Sequence, residues 1–361
     1  MDLDTPALVI DLDRVESNVA SMASLARASG VRLRPHTKTH KMPEIARLQI
    51  EAGAAGLTCA KLGEAEVMVE AGFDDILIAF PLLGADKLAR LEVLRRTARI
   101  QVSLDSVEVA TGLAELGVRS GQPVEVYVEV DTGQHRMGTA PGAPTIDLVS
   151  RLVETPGLVV VGLLSHAGHS YPISDHAQRS ALVDDELREL LATQLALAKL
   201  GIDVREISVG STPTVRDEMS RRGVSEVRPG TYVFNDTLML AHGVATLETC
   251  AAHVIATVVS RPSPERFVLD AGSKCLTSDG VGRPGWIQVA GRDELTIEFV
   301  NEEHGVGRID LSRGVPLSIG DKVLLIPSHV CPVINLFERA VATRGDLVVG
   351  ALDVTGRGRV R

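Results

Sequence analysis

One amine stands out for the company it keeps. Lys38 lies in Arg34-Pro35-His36-Thr37-Lys38-Thr39-His40-Lys41, where cations and imidazoles crowd together. Such crowding favours the neutral, nucleophilic amine, which condenses with a carbonyl to a Schiff base. A basic surface loop would read the same way over these eight residues. Two later runs could hold an anion. Val209-Gly210-Ser211-Thr212-Pro213-Thr214 brings backbone N–H groups, hydroxyls and the start of a helix, and Pro229-Gly230-Thr231-Tyr232 adds a second glycine and a phenol. Either loop alone reads as an ordinary turn. Two imidazoles, His166 and His169, flank a glycine in Ser165-His166-Ala167-Gly168-His169-Ser170-Tyr171, and Arg136 closes Asp131-Thr132-Gly133-Gln134-His135-Arg136. Imidazole and thiolate meet again in Pro327-Ser328-His329-Val330-Cys331, where an extended His-x-Cys would point both zinc-type ligands to one face.

The elements that must carry these groups follow from hydrophobic periodicity. Short β-type runs are expected at Val31–Pro35, Gly56–Cys59, Ile76–Ala79, Ile100–Leu104, Val124–Val130, Val159–Leu164, Glu206–Val209 and Glu226–Arg228, with helical patterns between them. Eight alternations predict an α/β fold, a (β/α)8 TIM-like barrel over residues 13–240. An open doubly wound sheet is the competing architecture, weakened because no Gly-x-Gly-x-x-Gly turn follows the first strand. Beyond Leu240 the pattern turns to short β-runs punctuated by Gly and Pro. This predicts a second, mostly β domain of residues 241–361, to which the strand at Thr5–Leu12 (segment 1–12) returns.

On that scaffold, Lys38, Lys61, Phe80, Asp105, Arg136, His166, Gly210 and Gly230 fall at or just after the C-terminal ends of successive strands, where barrel enzymes keep their chemistry. The Gly-bearing loops follow strands 7 and 8, a recurrent phosphate position. A phosphate seat opposite a reactive lysine points to pyridoxal phosphate, with Arg136 able to face its ring nitrogen and His166 able to stack on its ring. His169 or Tyr171 could reach a substrate. Asn301-Glu302-Glu303-His304-Gly305 could line a metal pocket or cap a β-turn.

Composition bounds the alternatives. At 361 residues, with 45% hydrophobic and 23% charged, two domains of a soluble globular protein are expected. A net charge of −10 without a basic cluster excludes a nucleic-acid footprint, and no apolar run approaches the roughly 18 residues of a membrane helix. The N-terminus lacks the pattern of a signal peptide, and Cys59, Cys250, Cys275 and Cys331 are widely spaced, so a reducing cytoplasm is expected.

Taken together, Asp4-Thr5-Pro6, the Arg34–Lys41 run, Glu303-His304-Gly305 and Pro327-Ser328-His329-Val330-Cys331 resemble the fold-type III pyridoxal phosphate enzymes, the alanine racemase-like group. Within it the chain looks like the D-serine dehydratase and D-threonine aldolase branch. The resemblance implies that Lys38, not Lys41, is the Schiff-base lysine. It sets Arg136 at the pyridine nitrogen, His166 against the ring, and Gly210, Ser211, Thr212, Gly230 and Tyr232 around the phosphate. His329 and Cys331 become ligands of a divalent metal, zinc first and manganese second. The His-x-Cys pair in place of His-x-Asp is dehydratase-like. The expected activity is therefore a lyase acting on small D-3-hydroxy amino acids, giving a 2-oxo acid and ammonia. Lys38 would take the Cα proton and the metal would act on the Cβ hydroxyl. A retro-aldol cleavage to glycine and an aldehyde, with a base such as His169, is the alternative. A racemase or a non-catalytic pyridoxal phosphate-binding protein are further readings, against which the metal pair argues. Resemblance also implies a homodimer.

Overall fold

The computed structural model describes residues 3–283 and 285–361. Met1 and Asp2, within the segment 1–12 expected to join the β-domain, lie outside the described residues. Two compact units emerge. Among the described residues, one contains residues 22–38, 45–230 and 358–361; the other contains residues 3–21, 39–44, 231–283 and 285–357.

The first unit is an eight-stranded parallel sheet rolled into a TIM-like barrel. Its strands are Arg32–Leu33, Leu57–Cys59, Asp75–Ile78, Arg99–Leu104, Val124–Glu129, Leu158–Leu164, Glu206–Val209 and Glu226–Val227. From Leu57–Cys59 onward each pairs in parallel with the next, and Glu226–Val227 pairs with both Glu206–Val209 and Arg32–Leu33. Closure is completed between the first two strands by a His36–Thr58 bridge and by Thr58 N–H donating to Pro35 O at 2.8 Å. The doubly wound alternative is thereby excluded. Helices cover the outer faces of these strands. Leu62–Glu70, Ala85–Leu94, Val107–Ser120, Ala143–Val153 and His176–Lys199 are among those helices. Val107–Ser120 stops at Gly121, whose φ of 66° is the left-handed cap that costs glycine nothing.

The end of the barrel nearest the strands' N-termini is filled with ion pairs as well as hydrocarbon. Arg34 Nε donates to Glu226 at 2.8 Å, Arg32 to Glu206 at 3.0 Å, and Arg99 to Glu125 at 3.0 Å and Asp75 at 3.1 Å. Above them Tyr127 packs with Leu77, Leu164 and Val161.

The second unit is built on nine strands. Six of them, Ala252–Ser263, Arg266–Leu269, Gly305–Ile309, Leu295–Val300, Gln288–Val289 and Lys322–Ile326, close an antiparallel barrel, because Arg266–Leu269 pairs with both Ala252–Ser263 and Gly305–Ile309. Ala7–Asp11 does return to this sheet, lying antiparallel to Ala252–Ser263 and parallel to Arg339–Arg344, with Leu347–Asp353 at the edge. Leu8, Val9 and Ile10 are buried there, each contributing about 1.5–3 kcal/mol of apolar transfer. Among the described residues no helix is long and apolar enough to cross a membrane.

Candidate active site

A cavity of about 360 Å³ opens among the C-terminal ends of the barrel strands, lined by Lys38, His36, His166, Arg136, Arg228, Glu129 and Phe80 among others. The run around Lys38 is no surface loop: His36 and Thr37 are buried and Lys38 is half-buried. His36 N–H donates to Pro229 O at 2.9 Å, which pins the run to the end of the eighth strand. Burial, then Lys38, Arg228, His166 and Arg136, hold the His36 imidazole well below its ordinary value, so it is neutral. His166 is likewise pulled well down by burial and by Lys38, against the opposing pull of its bond to Gly210. Its Nδ1 lies 2.5 Å from Gly210 O, and a carbonyl can only accept, so Nδ1 carries the proton. The ring is thereby locked uncharged and in one orientation. Arg136 lines the cavity with its Nη2 3.5 Å from Glu129 Oε1. Lys61 Nζ sits 3.4 Å over the Phe80 ring.

The loop after the seventh strand explains its own glycine differently from the sequence reading. A Cβ on Gly210 would stand 2.7 Å from the Arg228 backbone nitrogen, so the glycine answers to the neighbouring strand end and not only to a ligand. The helix that follows, Val215–Ser220, has six residues and is too short to add much dipole. What suits an anion is the hydroxyl set: Ser211 and Thr212 are buried, and Thr212 Oγ1 has no hydrogen-bond partner. A buried orphan hydroxyl costs stability unless something fills the space before it. Together with the cavity and its cations, it fits the phosphate and ring of pyridoxal phosphate. Gly230 belongs to this unit; Tyr232, also buried, belongs to the other.

His169 does not line this cavity. It lies over the loop of Gly133, 3.0 Å from where a Cβ on that glycine would be, and its buried Nδ1 has no hydrogen-bond partner. Burial pulls its imidazole down as well, so it too can accept a proton near neutrality. Tyr171 comes closer to the centre, its ring 6.5 Å from that of His166.

In the second unit, His329 and Cys331 are not on an extended segment, which corrects the sequence expectation. Val330–Leu336 is a helix, with His329 as its N-cap residue. Pro332 tolerates this first turn because the N–H it lacks would have no intrahelical partner there. The two side chains nevertheless converge. His329 shares a hydrogen bond with Cys331, and its Nδ1 is 3.0 Å from Asp279 Oδ2. Burial lowers the His329 imidazole, but Cys331, Asp236 and Asp279 override it and lift it to about 9. Asp236, fully buried, accepts from Val330 N–H and Met239 N–H at 3.0 Å each and fixes the turn. Thr39 Oγ1 lies 3.2 Å from Cys331 Sγ. A carboxylate-backed imidazole beside a thiol fits a zinc-type ion, with Asp279 orienting the ligand from behind. Among the described residues no cluster of three or more such groups forms, so the rest of a coordination shell would be water or substrate. The cluster at Asn301–Gly305 is a hairpin turn, closed by Asn301 N–H to His304 O at 2.8 Å, and its two glutamates pair with Lys274.

Sequence reasoning passed over Arg228, Glu129, Asp236 and Asp279. Arg228 had a legible signal, a charge ending a strand of the barrel's interior. Asp279, fifty residues from His329, had none.

Comparison with known proteins agrees with this anatomy. Residues 10–237 match the alanine racemase N-terminal domain and residues 251–343 match a putative serine dehydratase domain. The chain is 34% identical to a D-threonine aldolase of an Arthrobacter species over 99% of this chain and 93% of that one. It is also 34% identical to the D-threo-3-hydroxyaspartate dehydratase of a Delftia species, over 92% of each. A D-threo-3-hydroxyaspartate dehydratase variant has been solved in a metal-free form (TM-score 0.88, 34% identity, 98% of this chain and 97% of that one). The crystal structure of the D-threonine aldolase from Filomicrobium marinum superposes with a TM-score of 0.93 at 35% identity, covering 100% of this chain and 97% of that one. The chain thus belongs to the fold-type III pyridoxal phosphate enzymes, in the group that joins an alanine racemase N-terminal domain to a serine dehydratase domain.

Proposed function

We propose that the chain is a pyridoxal phosphate- and divalent-metal-dependent lyase of D-3-hydroxy amino acids, of the dehydratase type, releasing a 2-oxo acid and ammonia. The observation that carries this reading is the convergence of His329 and Cys331, with Asp279 behind the imidazole. A racemase needs only Cα proton transfer and has no use for such a pair, nor does a passive cofactor carrier. Bound pyridoxal phosphate would supply an electron sink that acidifies Cα–H, and a metal on His329 and Cys331, zinc before manganese, would draw charge from the Cβ oxygen.

The chain's own residues divide the remaining work. Lys38 would hold the cofactor and would take the Cα proton at Nζ. Arg136 would pair with the ring nitrogen. His166, its Nδ1 proton committed to Gly210 O, presents an uncharged ring face. Gly210, Ser211, Thr212, Gly230 and Tyr232 seat the phosphate, with the orphaned Thr212 hydroxyl as one donor. Tyr171 would reach the substrate from beside His166, and His169 would do so only from the Gly133 loop, outside the cavity lining. We place the active form as a homodimer, testable by sedimentation, in a reducing cytoplasm that suits four cysteines outside any disulfide.

One observation favours a second reading. His169 is neutral-leaning and its buried Nδ1 lacks a partner, so it could take the Cβ hydroxyl proton and direct a retro-aldol cleavage. Incubation of holoenzyme with D-threonine separates the two: 2-oxobutanoate and ammonia for the dehydratase, glycine and acetaldehyde for the aldolase. Production of L-allo-threonine, the Cα epimer, with neither set of products, would overturn both.

A further inference from the structure

Behind the loop assigned to the phosphate lies a buried chain of hydroxyls that ends on an acid no role has yet claimed. Glu218 is fully buried, and its Oε1 is 2.6 Å from Thr214 Oγ1. Thr214 Oγ1 is in turn 2.8 Å from Ser211 Oγ, and Ser211 Oγ is 3.4 Å from Ser170 Oγ. Glu218 Oε2 has no hydrogen-bond partner. Nor does Oε2 of Glu186, a second fully buried acid, on the helix His176–Lys199, whose Oε1 accepts from Ser165 at 2.7 Å. The charged groups facing Glu218 are Glu186, Arg228 beyond the strand Glu226–Val227, and Asp217 on its own helix. Arg228 is engaged with Ser208 and Ser165 O.

We infer that Glu218 is a positioning residue: as a neutral acid, it sets the direction of a hydroxyl relay through Thr214 that turns the Ser211 O–H toward the cofactor's phosphate. The argument is one of proton counting. Two buried carboxylates side by side cannot both stay ionised. Glu186 Oε1 faces two hydroxyls, Ser165 at 2.7 Å and Thr132 at 3.4 Å, whereas among the described residues Glu218 meets only Thr214. Burial, and then Glu186, push Glu218 well above the usual carboxylate range, so the proton resides on Glu218. Placed on Oε1, that proton makes a short bond to Thr214; placed on Oε2, it would be a buried donor with nothing to bind. With Thr214 accepting from Glu218, its own hydrogen turns to Ser211 Oγ, because the other acceptor, Ser211 O, is 3.4 Å away. Ser211 then accepts from Thr214, and its own hydrogen is released to point outward in preference to the long 3.4 Å contact with Ser170 Oγ, the polarity an anion requires. Were Glu218 ionised, the relay would run the other way. Ser211 would donate inward and present lone pairs to the phosphate.

The inference rests on the reading of residues 210–214 as the phosphate seat, and the test separates the two. The apoprotein is titrated with pyridoxal phosphate and with pyridoxal, which lacks the phosphate, across rising pH. The ratio of the two affinities isolates the phosphate contact. In wild type this ratio falls by about tenfold as Glu218 ionises, the loss of one charge-assisted hydrogen bond. Glu218→Gln keeps a donor to Thr214 at every pH, so its ratio stays high and loses the Glu218-dependent fall. Ser211→Ala lowers the ratio by a similar factor throughout. An unchanged ratio in Ser211→Ala would remove the loop from the phosphate site. A reduced ratio in Ser211→Ala together with a wild-type pH profile in Glu218→Gln would leave the seat standing and overturn the relay.

Discussion

The two ends of the barrel carry nearly the same residue types to opposite effect. Near the strands' N-termini, Arg32, Arg34 and Arg99 meet Glu206, Glu226, Glu125 and Asp75 at hydrogen-bond distances, and each cation has its own carboxylate. Near the C-termini, the described cavity lining holds Lys38, Arg136 and Arg228 against a single carboxylate, Glu129, whose nearest bond is 3.5 Å long. The two lining histidines, kept neutral by burial and those cations, add no charge of their own. A charge set that closes on itself holds a fold. One richer in cations than in carboxylates suits anions, which supports the proposed phosphate seat.

Substitutions at either end should therefore fail in different currencies. The largest effect is expected at Lys38. Lys38→Ala abolishes borohydride-trapped cofactor on the chain, whereas Lys41→Ala leaves it, as read by peptide mass. Trapping that vanishes only in Lys41→Ala would reassign the lysine. At the opposite end, Arg34→Met leaves buried Glu226 with only the longer Arg32 contact at 3.6 Å and the Ser208 hydroxyl, and destabilises the barrel by about 3–5 kcal/mol in urea unfolding. The cofactor content of the molecules that remain folded is unchanged. Arg136→Met, half-exposed, shifts stability by no more than about 0.5 kcal/mol but weakens cofactor binding. Identical losses from the two arginine variants would erase the contrast.

A smaller effect marks the metal pair. Asp279→Ala frees the His329 ring and weakens metal binding by about 10–100-fold, read by competition with a chelating dye, with cofactor affinity unaltered. Smaller again is the acid side of stability. Burial and Arg14 hold His253 in the β-domain at about 4 against an ordinary 6.5. Between those values the unfolded chain binds a proton that the folded chain refuses, so stability is constant above pH 6.5 and is lost as pH falls toward 4. The slope approaches about 1.4 kcal/mol per pH unit. Melting of His253→Gln across this window should fall less steeply than that of wild type by that amount.

The barrel was legible because short β-type segments alternate with helical patterns, and because the candidate site residues fall just after the strand ends. The return of Ala7–Asp11 to the β-domain was legible from its isolation before the first helix. Misreadings arose where the deciding contact is remote. Pro332 could have marked a helix start, yet the spacing of His329 and Cys331 reads equally well as a strand. Glu218 in Val215–Ser220 looks like the solvent face of a helix until Glu186 and Arg228 are packed over it. Gly210 looks like a ligand contact until Arg228 is brought to within 2.7 Å of its missing Cβ. Nothing in the order of residues ties Asp279 to His329.

The division of labour between Lys38 and the metal pair is open to one direct measurement. Holoenzyme, EDTA-treated enzyme and Cys331→Ala are incubated with D-threonine in deuterated water, and Cα deuterium incorporation is followed beside product formation. The account predicts that exchange at Cα survives in all three while 2-oxobutanoate appears only with metal present. Undiminished product from metal-free protein would contradict it and make the His329–Cys331 pair a bystander.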